Sequence, residues 1–416
     1  MEKATGSYKW VVMIIACFFA IIDMSTLSIF SMTANEITKQ LGVTAEYANS
    51  FGPWGSLGLF GIWSVGQVLG FLFGGPLYDK IGFKKTLLIA GACLIVPQFV
   101  IPWVSSFWVV WFLRLVQGFC NVAFVPLVIV SIGWFGAEKG TLAMGFLIGS
   151  LLAGGTIGNF LASLAGYPGN YYIVGALCVL SIFLIAVFGK PSPVAVGAAM
   201  VEGEGAAPQE EEAVGWGTVL VRNDTWILAI TLLCATIMLY PFFAGFGSFA
   251  LKYGVTSSQV AGGSLALTIL FVICAVTSGA ITTALCRKRN ALKAQSAMVM
   301  TGFLLMVIGS VLMATMGKAG FGGWFISCFI FFPLGMGVMM PTFNVMPPLI
   351  FPAKIAGTGT GVVTFIGNIV NWATPGIFLG LIASIGWAGY WLLITPFMIL
   401  GAILMLVVYR KAGAKV

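Results

Sequence analysis

Gly75-Pro76-Leu77-Tyr78-Asp79-Lys80-Ile81-Gly82-Phe83-Lys84-Lys85 is a short charged loop between two long apolar runs, and every fixed position of the spacing Gly-x-x-x-Asp-Lys-x-Gly-x-Lys-Lys is filled. A loop this short needs a residue tolerant of unusual backbone angles, and Gly82 is placed for the reversal. Lys80, Lys84 and Lys85 resist transfer across a bilayer, so the loop belongs on the side that retains positive charge. That assignment orients the apolar runs on either side.

Those runs dominate the chain. Of 416 residues, 60% are hydrophobic and 8% charged, against about 25% charged in soluble domains. Windows of about 20 apolar residues give twelve expected spans, near 10–31, 54–77, 86–104, 107–133, 141–165, 170–189, 225–250, 259–285, 294–316, 322–350, 356–383 and 387–409. The chain is therefore expected to be an all-α, multi-pass membrane protein. Its first apolar run is too long for a cleaved signal peptide and lacks a small-residue cleavage site.

The net charge of +8 is topological. With the N-terminus inside, 16 of the 20 Lys and Arg fall in cytoplasmic segments; Lys39, Lys252 and Lys318 lie outside and Arg114 lies within a span. This is the positive-inside pattern. It puts both termini in the cytoplasm, points to the inner cell membrane, and argues against a nucleic-acid partner. The eight cysteines sit in or beside spans without a Cys-x-x-Cys pair, as small packing residues do.

Two charges lie at membrane depth. Asp23 stands 13 residues into the first span, or ~20 Å at 1.5 Å per residue. Arg114 stands 7 residues from the outer end of the fourth span, ~10 Å below that surface. The expected depths are similar, so the two are expected to pair where their helices adjoin. An unpaired carboxylate there would cost about 2.5–3.5 kcal/mol even on an insertion scale. Arg114, Gln117 and Asn121, spaced i, i+3, i+7, share one helix face. Thr156, Asn159 and Ser163 repeat that spacing in a glycine-rich fifth span, and Thr364, Asn368 and Asn371 lie along one face of the eleventh. Beyond Asp224 there is no Asp or Glu at all.

Pro191 to Ala213 is rich in Ala, Gly, Pro and Glu, the composition of a flexible linker. It divides the chain into an N-terminal six-helix bundle (1–189), a cytoplasmic linker (190–224) and a C-terminal six-helix bundle (225–416). The halves echo each other. Phe135-x-Ala137 with Gly140 and Gly145 recurs as Phe351-x-Ala353 with Gly357 and Gly361, and Gly279 to Arg289 is a decayed copy of the opening loop without its Asp.

With these features the chain resembles the major facilitator superfamily over nearly its whole length. The likeness rests on the twelve spans, the central linker, the Gly75-to-Lys85 loop and Arg114-x-x-Gln117-Gly118. The resemblance implies two six-helix bundles around a central substrate site, lined mainly by spans 1, 4, 7 and 10, which rock to give alternating access. It also implies a monomer. Within the superfamily, the arginines of nitrate-type porters in spans 2 and 8, the basic second half of phosphate and oxalate exchangers, and the Gly-Pro-rich fifth span of drug antiporters are all missing.

Site expectations follow. Asp23 and Arg114 are the proton-coupling candidates, against a purely structural ion pair. Arg114, Gln117, Asn121, Tyr240, Asn344 and Asn368 are the substrate-binding candidates. Gly75, Asp79, Lys80, Gly82, Lys84 and Lys85 form the candidate inner gate. In it Asp79 docks on the positive N-terminal end of a helix in the other bundle, near Gly357-Thr358-Gly359, in the outward-facing state; the alternative is a topological anchor. Pro333, Pro341, Pro347 and Pro348 are expected to kink the tenth span. The aromatic residues of the central spans are first of all packing residues, and only a few of them wall a site.

The absence of His, of a Gly-x-x-x-x-Gly-Lys-Ser/Thr loop and of any acidic cluster removes the usual motifs of an enzyme, an ATP-driven pump, a bound metal or a cofactor. The leading expectation is proton-coupled symport of a small organic solute such as an organic acid or sugar. The alternatives are proton-coupled efflux of lipophilic or cationic compounds and a proton-independent exchanger or uniporter.

Overall fold

A computed structural model of the chain describes residues 2–49, 57–197 and 215–414. The described residues fold as helices, with no strand among them. The order is α1 (Glu2–Met32), α2 (Ala34–Gln40), α3 (Ala45–Asn49), α4 (Gly61–Val100), α5 (Phe107–Phe119), α6 (Phe124–Ala165), α7 (Gly169–Phe188), α8 (Trp216–Leu220), α9 (Asn223–Lys252), α10 (Ser257–Cys286), α11 (Ala291–Thr315), α12 (Gly320–Phe329), α13 (Gly337–Ile350), α14 (Ala356–Asn368) and α15 (Thr374–Ala414). Among these residues, eight helical runs are long and apolar enough to cross a membrane. Residues 198–214 of the expected linker lie outside the description, as do Lys415 and the side chains of Lys3 and Tyr240.

Three long helices are each interrupted by one glycine: α4 at Gly82 (φ 79°, ψ 173°), α6 at Gly136 (φ 77°, ψ 166°) and α15 at Gly386 (φ 69°, ψ 172°). A side chain at such angles would strain the backbone, so glycine lets the chain turn within a single residue. Gly82 lies in the charged loop where the reversal was expected. Two helices are started by polar side chains. Thr256 opens α10 with a capping box to Gln259, and the Asn290 side chain accepts from the backbone N–H groups of Leu292 and Lys293 at the start of α11, so groups without an intrahelical partner are satisfied.

Helices of the two halves meet along seams of small residues. α4 packs on α14 and α6 on α10. A Cβ added to Gly75 would strike the Gly357 backbone, one at Gly145 would strike Ala275, and one at Gly279 would strike Thr141 and Leu142. Close backbone approach replaces the hydrophobic drive that lipid does not supply.

The prolines expected to kink the tenth span fall in two kinds of helix. Pro333 lies inside a π-helical segment, Ile330–Met336, that joins α12 to α13, while Pro341, Pro347 and Pro348 are carried within α13. The wider turn absorbs the missing backbone donor. A 3-10 segment, Cys120–Ala123, likewise joins α5 to α6. The expected eleventh span is also discontinuous. It stops at Asn368 and resumes at Thr374, and the Asn371 side chain donates to Asn368 Oδ1 at 2.7 Å across the break.

Candidate functional site

Helices from both halves enclose a cavity of about 620 Å³, within the usual range for small-molecule sites. It occupies the parts of α6 and α10 near Asn159 and Ala261, close to their Ala165 and Ser257 ends. The irregular segments form its wall. Asn121 comes from the 3-10 turn, Phe332 and Met336 from the π-helical turn, and Asn368 from the last residue of α14. A 3-10 or π-helical turn changes the number of residues per turn and so changes which positions of the helix face the cavity.

Three expected substrate-binding residues, Asn121, Asn344 and Asn368, line this cavity. Asn344 donates to the Met340 carbonyl at 2.8 Å, and Asn368 to the Thr364 carbonyl at 2.8 Å. Tyr240, the seventh-span candidate, has a side chain outside those described. Residues outside the expected set also contribute, notably Gln67 and Trp63 from α4, Asn159 from α6, and Ser264 and Thr268 from α10. Gln67 donates to Asn121 Oδ1 at 3.5 Å. Its signal in the sequence was an amide four residues after a tryptophan in a span with no other amide. The wall therefore draws on α4, α6, α10 and α14 as well as on the four spans named by family resemblance.

Arg114 and Gln117 are not part of this wall. The expected common stripe splits: Asn121 faces the cavity, while Arg114 and Gln117 are fully buried behind it. The Arg114 guanidinium lies 3.8 Å from the Phe30 ring centroid, donates to Gln117 Oε1, and reaches the Leu59 carbonyl at 3.3 Å. Cation–π contact and hydrogen bonds hold this charge.

The expected Asp23–Arg114 ion pair is not formed. Asp23 accepts instead from the Cys120 thiol at 2.9 Å. Cys120 stands six residues inward of Arg114, ~9 Å along a helix, and Phe30, which Arg114 covers, stands seven residues outward of Asp23. The two helices are offset, so counting from predicted span ends placed Arg114 level with Asp23 when Cys120 occupies that level. Asp23 borders a water-sized void that shares Asn121, Phe124 and Leu151 with the large cavity. The carboxylate thus lies one layer of side chains behind the wall.

At the end of the fold carrying the Gly75-to-Lys85 loop, α4 and α14 are in contact. Asp79 Oδ2 accepts from the Thr358 backbone N–H at 2.8 Å and from its hydroxyl at 2.7 Å. Thr358 lies in the first turn of α14, where unpaired N–H groups and the helix dipole favour an anion. Gly75 makes the contact possible, because any side chain there would meet Gly357. Lys80, Lys84 and Lys85 point into solvent. The cavity is closed at this end.

The sequence of residues 13–375 matches the family model described as Major Facilitator Superfamily. A relative from Bacillus subtilis (strain 168), named as the uncharacterized MFS-type transporter YuxJ, is 30% identical over 151 residues. That match spans 35% of this chain and 38% of the relative. Two solved structures share the fold. The human organic anion transporter MFSD10 (TETRAN) aligns with a TM-score of 0.75 at 13% identity, over 95% of this chain and 99% of its own. The proton:xylose symporter XylE, bound to 6-bromo-6-deoxy-D-glucose, aligns with a TM-score of 0.75 at 14% identity, over 97% and 96%.

Proposed function

The chain belongs to the major facilitator superfamily, a family of transporters and not of enzymes, and on that premise we propose that it moves a small organic solute across the membrane by alternating access, driven by a proton gradient. The observation that carries this reading is the cavity between the two halves together with its closed end, where Asp79 caps α14. A solute enters from the open side, the halves rock, the Asp79–Thr358 contact breaks, and the seams of small residues part. Gly75, Asp79, Lys80, Gly82, Lys84 and Lys85 make up the inner gate in this proposal.

Counting the segments on either side of Gly82, Gly136 and Gly386 as separate crossings, and joining α5 to the first part of α6, α12 to α13 and α14 to the first part of α15, gives twelve spans with α1, α7, α9, α10 and α11 included, six before the 190–224 linker and six after it. The lysine-rich loop then faces the cytoplasm with both termini, in the inner cell membrane, and the state described is outward-facing. The transporter works as a monomer with the bilayer as its surroundings. Asn121, Asn344, Asn368 and Tyr240 hold the solute; Arg114 and Gln117 support the site from behind.

Asp23 is the proton carrier of this reading, as the carboxylate nearest the cavity. Its partner here is the Cys120 thiol, so Arg114 acts in coupling only through a change of contacts during the cycle. Uptake into proteoliposomes under an imposed pH gradient tests the coupling. Accumulation in the native protein that is lost in Asp23→Asn, with downhill exchange kept, supports it. Accumulation indifferent to both sinks it in favour of the proton-independent exchanger.

The aromatic wall of the cavity favours a second reading, export of lipophilic compounds. Expression in energised cells separates the two, raising cell-associated solute for import and lowering it for export.

A further inference from the structure

The cavity has an unusual balance of chemistry for its size. No lining residue among those described carries a charge. The neighbouring side chains outside the description, at 238, 240, 241, 243, 244, 374–376, 378 and 379, include no Asp, Glu, Lys or Arg, and the chain has no acidic residue beyond Asp224. The two membrane-depth charges are committed elsewhere: Asp23 accepts from Cys120 behind Asn121 and Phe124, and Arg114 lies over Phe30. A charged solute entering here would shed its hydration and meet no counter-charge.

Both halves contribute aromatic rings and amides to the lining. In the C-terminal half four phenylalanines form a continuous wall. Phe271 stacks on Phe332 at 4.7 Å, Phe332 lies 5.5 Å from Phe242, and Phe242 stacks on Phe246 at 5.1 Å. All four line the cavity. The N-terminal half supplies the amides Gln67, Asn121 and Asn159, while Asn344 and Asn368, the lining amides of the C-terminal half, donate to the Met340 and Thr364 carbonyls. An amide offers both a donor and an acceptor, so the N-terminal side serves hydroxyls, carbonyls and amides alike.

We propose that the cavity selects neutral, amphipathic ring compounds, which lay a flat apolar face along the Phe271–Phe332–Phe242–Phe246 wall and turn hydrogen-bonding groups to Gln67, Asn121 and Asn159. Free carboxylates and ammonium ions of the same shape are rejected. This rests on the cavity being the transport site and narrows its solute; it sets aside organic acids in their ionised form and cationic drugs. The ring extends the aromatic stack in the geometry such rings prefer, and the amide face fixes its orientation without requiring a charge.

The test uses the full-length native protein, purified in detergent at neutral pH, and three probes of similar length: 3-phenylpropanamide, its isostere 3-phenylpropanoate, and 3-phenylpropylamine. Affinity is read from the thermal unfolding midpoint and from tryptophan fluorescence, since Trp63 lines the cavity. The amide is expected to bind at least about tenfold more tightly than either ion, a free-energy difference of about 1.4 kcal/mol. Phe332→Ala is expected to weaken amide binding roughly two- to tenfold, in line with the worth of one aromatic contact, and Asn159→Ala, at the exposed rim, is expected to weaken it without changing the unfolding midpoint of the free protein. The native triplet stands alone if Phe332→Ala fails to fold. Discrimination below about tenfold, or no binding by the amide, overturns the proposal. Flux of each probe is measured in vesicles of the same preparation. An amide bound but never carried refutes the transport reading and leaves the ligand class standing, while a carried ion refutes the class and leaves transport standing.

Discussion

Replacing Asp79 by Asn should release the closed end. The carboxylate accepts two hydrogen bonds from Thr358, at 2.8 and 2.7 Å, at the first turn of α14. A hydrogen bond to a charged group contributes about 1.5–3 kcal/mol, and an anion at a helix N-terminus adds about 0.3–1 kcal/mol. Asn keeps the shape and an acceptor oxygen but loses the charge, so about 2 kcal/mol is the expected loss. In the proposed cycle all of it applies to the closed state alone, because the rocking of the halves would separate Asp79 from Thr358. The equilibrium between the two states therefore shifts roughly 30-fold toward opening at this end. Thr358→Val, which removes the hydroxyl and keeps the backbone N–H, should shift it by a smaller factor. Spin labels at Lys84→Cys and Lys354→Cys in a cysteine-depleted background report the change as a distance distribution. The native protein should give mainly short distances, and Asp79→Asn a substantial longer population. A distribution identical to the native one in both Asp79→Asn and Asp79→Ala would show that the contact does not hold the end closed.

Gly75→Val places a branched side chain against the Gly357 backbone and should have the same direction as Asp79→Asn with a larger effect, read by the same labels. Cys120→Ala removes the donor to Asp23 at 2.9 Å and leaves the carboxylate without that bond; the pH dependence of uptake should move, while ligand binding stays within about twofold. Gly145→Leu, set against the Ala275 backbone, should disfavour the described state and slow solute entry from the cavity side, measured as initial uptake rate.

The Gly75-to-Lys85 loop was legible because its information is local: a glycine and an acid at fixed spacing describe a turn and a helix-capping group without reference to the rest of the chain. The expected target at Gly357-Thr358-Gly359 followed from the same physics, since a carboxylate seeks unpaired N–H groups. Asp23 and Arg114 were recognisable as costly charges, but their partners depended on the offset between two helices, which is set by packing. An error of about two turns replaced an arginine by a cysteine. Gln67 was hidden by context, as one amide in an apolar span is equally a packing residue. The breaks at Cys120, Pro333 and Asn368 were only partly signalled. Proline marked one of them, whereas nothing in Asn368-Ile369-Val370-Asn371 distinguishes a helix end from a continuing span.

Reciprocal accessibility tests alternating access most directly. A single cysteine at Asn159, on the rim of the cavity, and another at Val345, buried at the opposite end near Gly140, are labelled with a membrane-impermeant thiol reagent, each with Asp79 intact and with Asp79→Asn added. With Asp79 intact, Asn159→Cys is expected to react and Val345→Cys to be protected. Adding Asp79→Asn is expected to raise labelling at Val345→Cys while lowering it at Asn159→Cys. Both positions rising together, or Val345→Cys staying protected under every condition, would contradict alternating access through this gate.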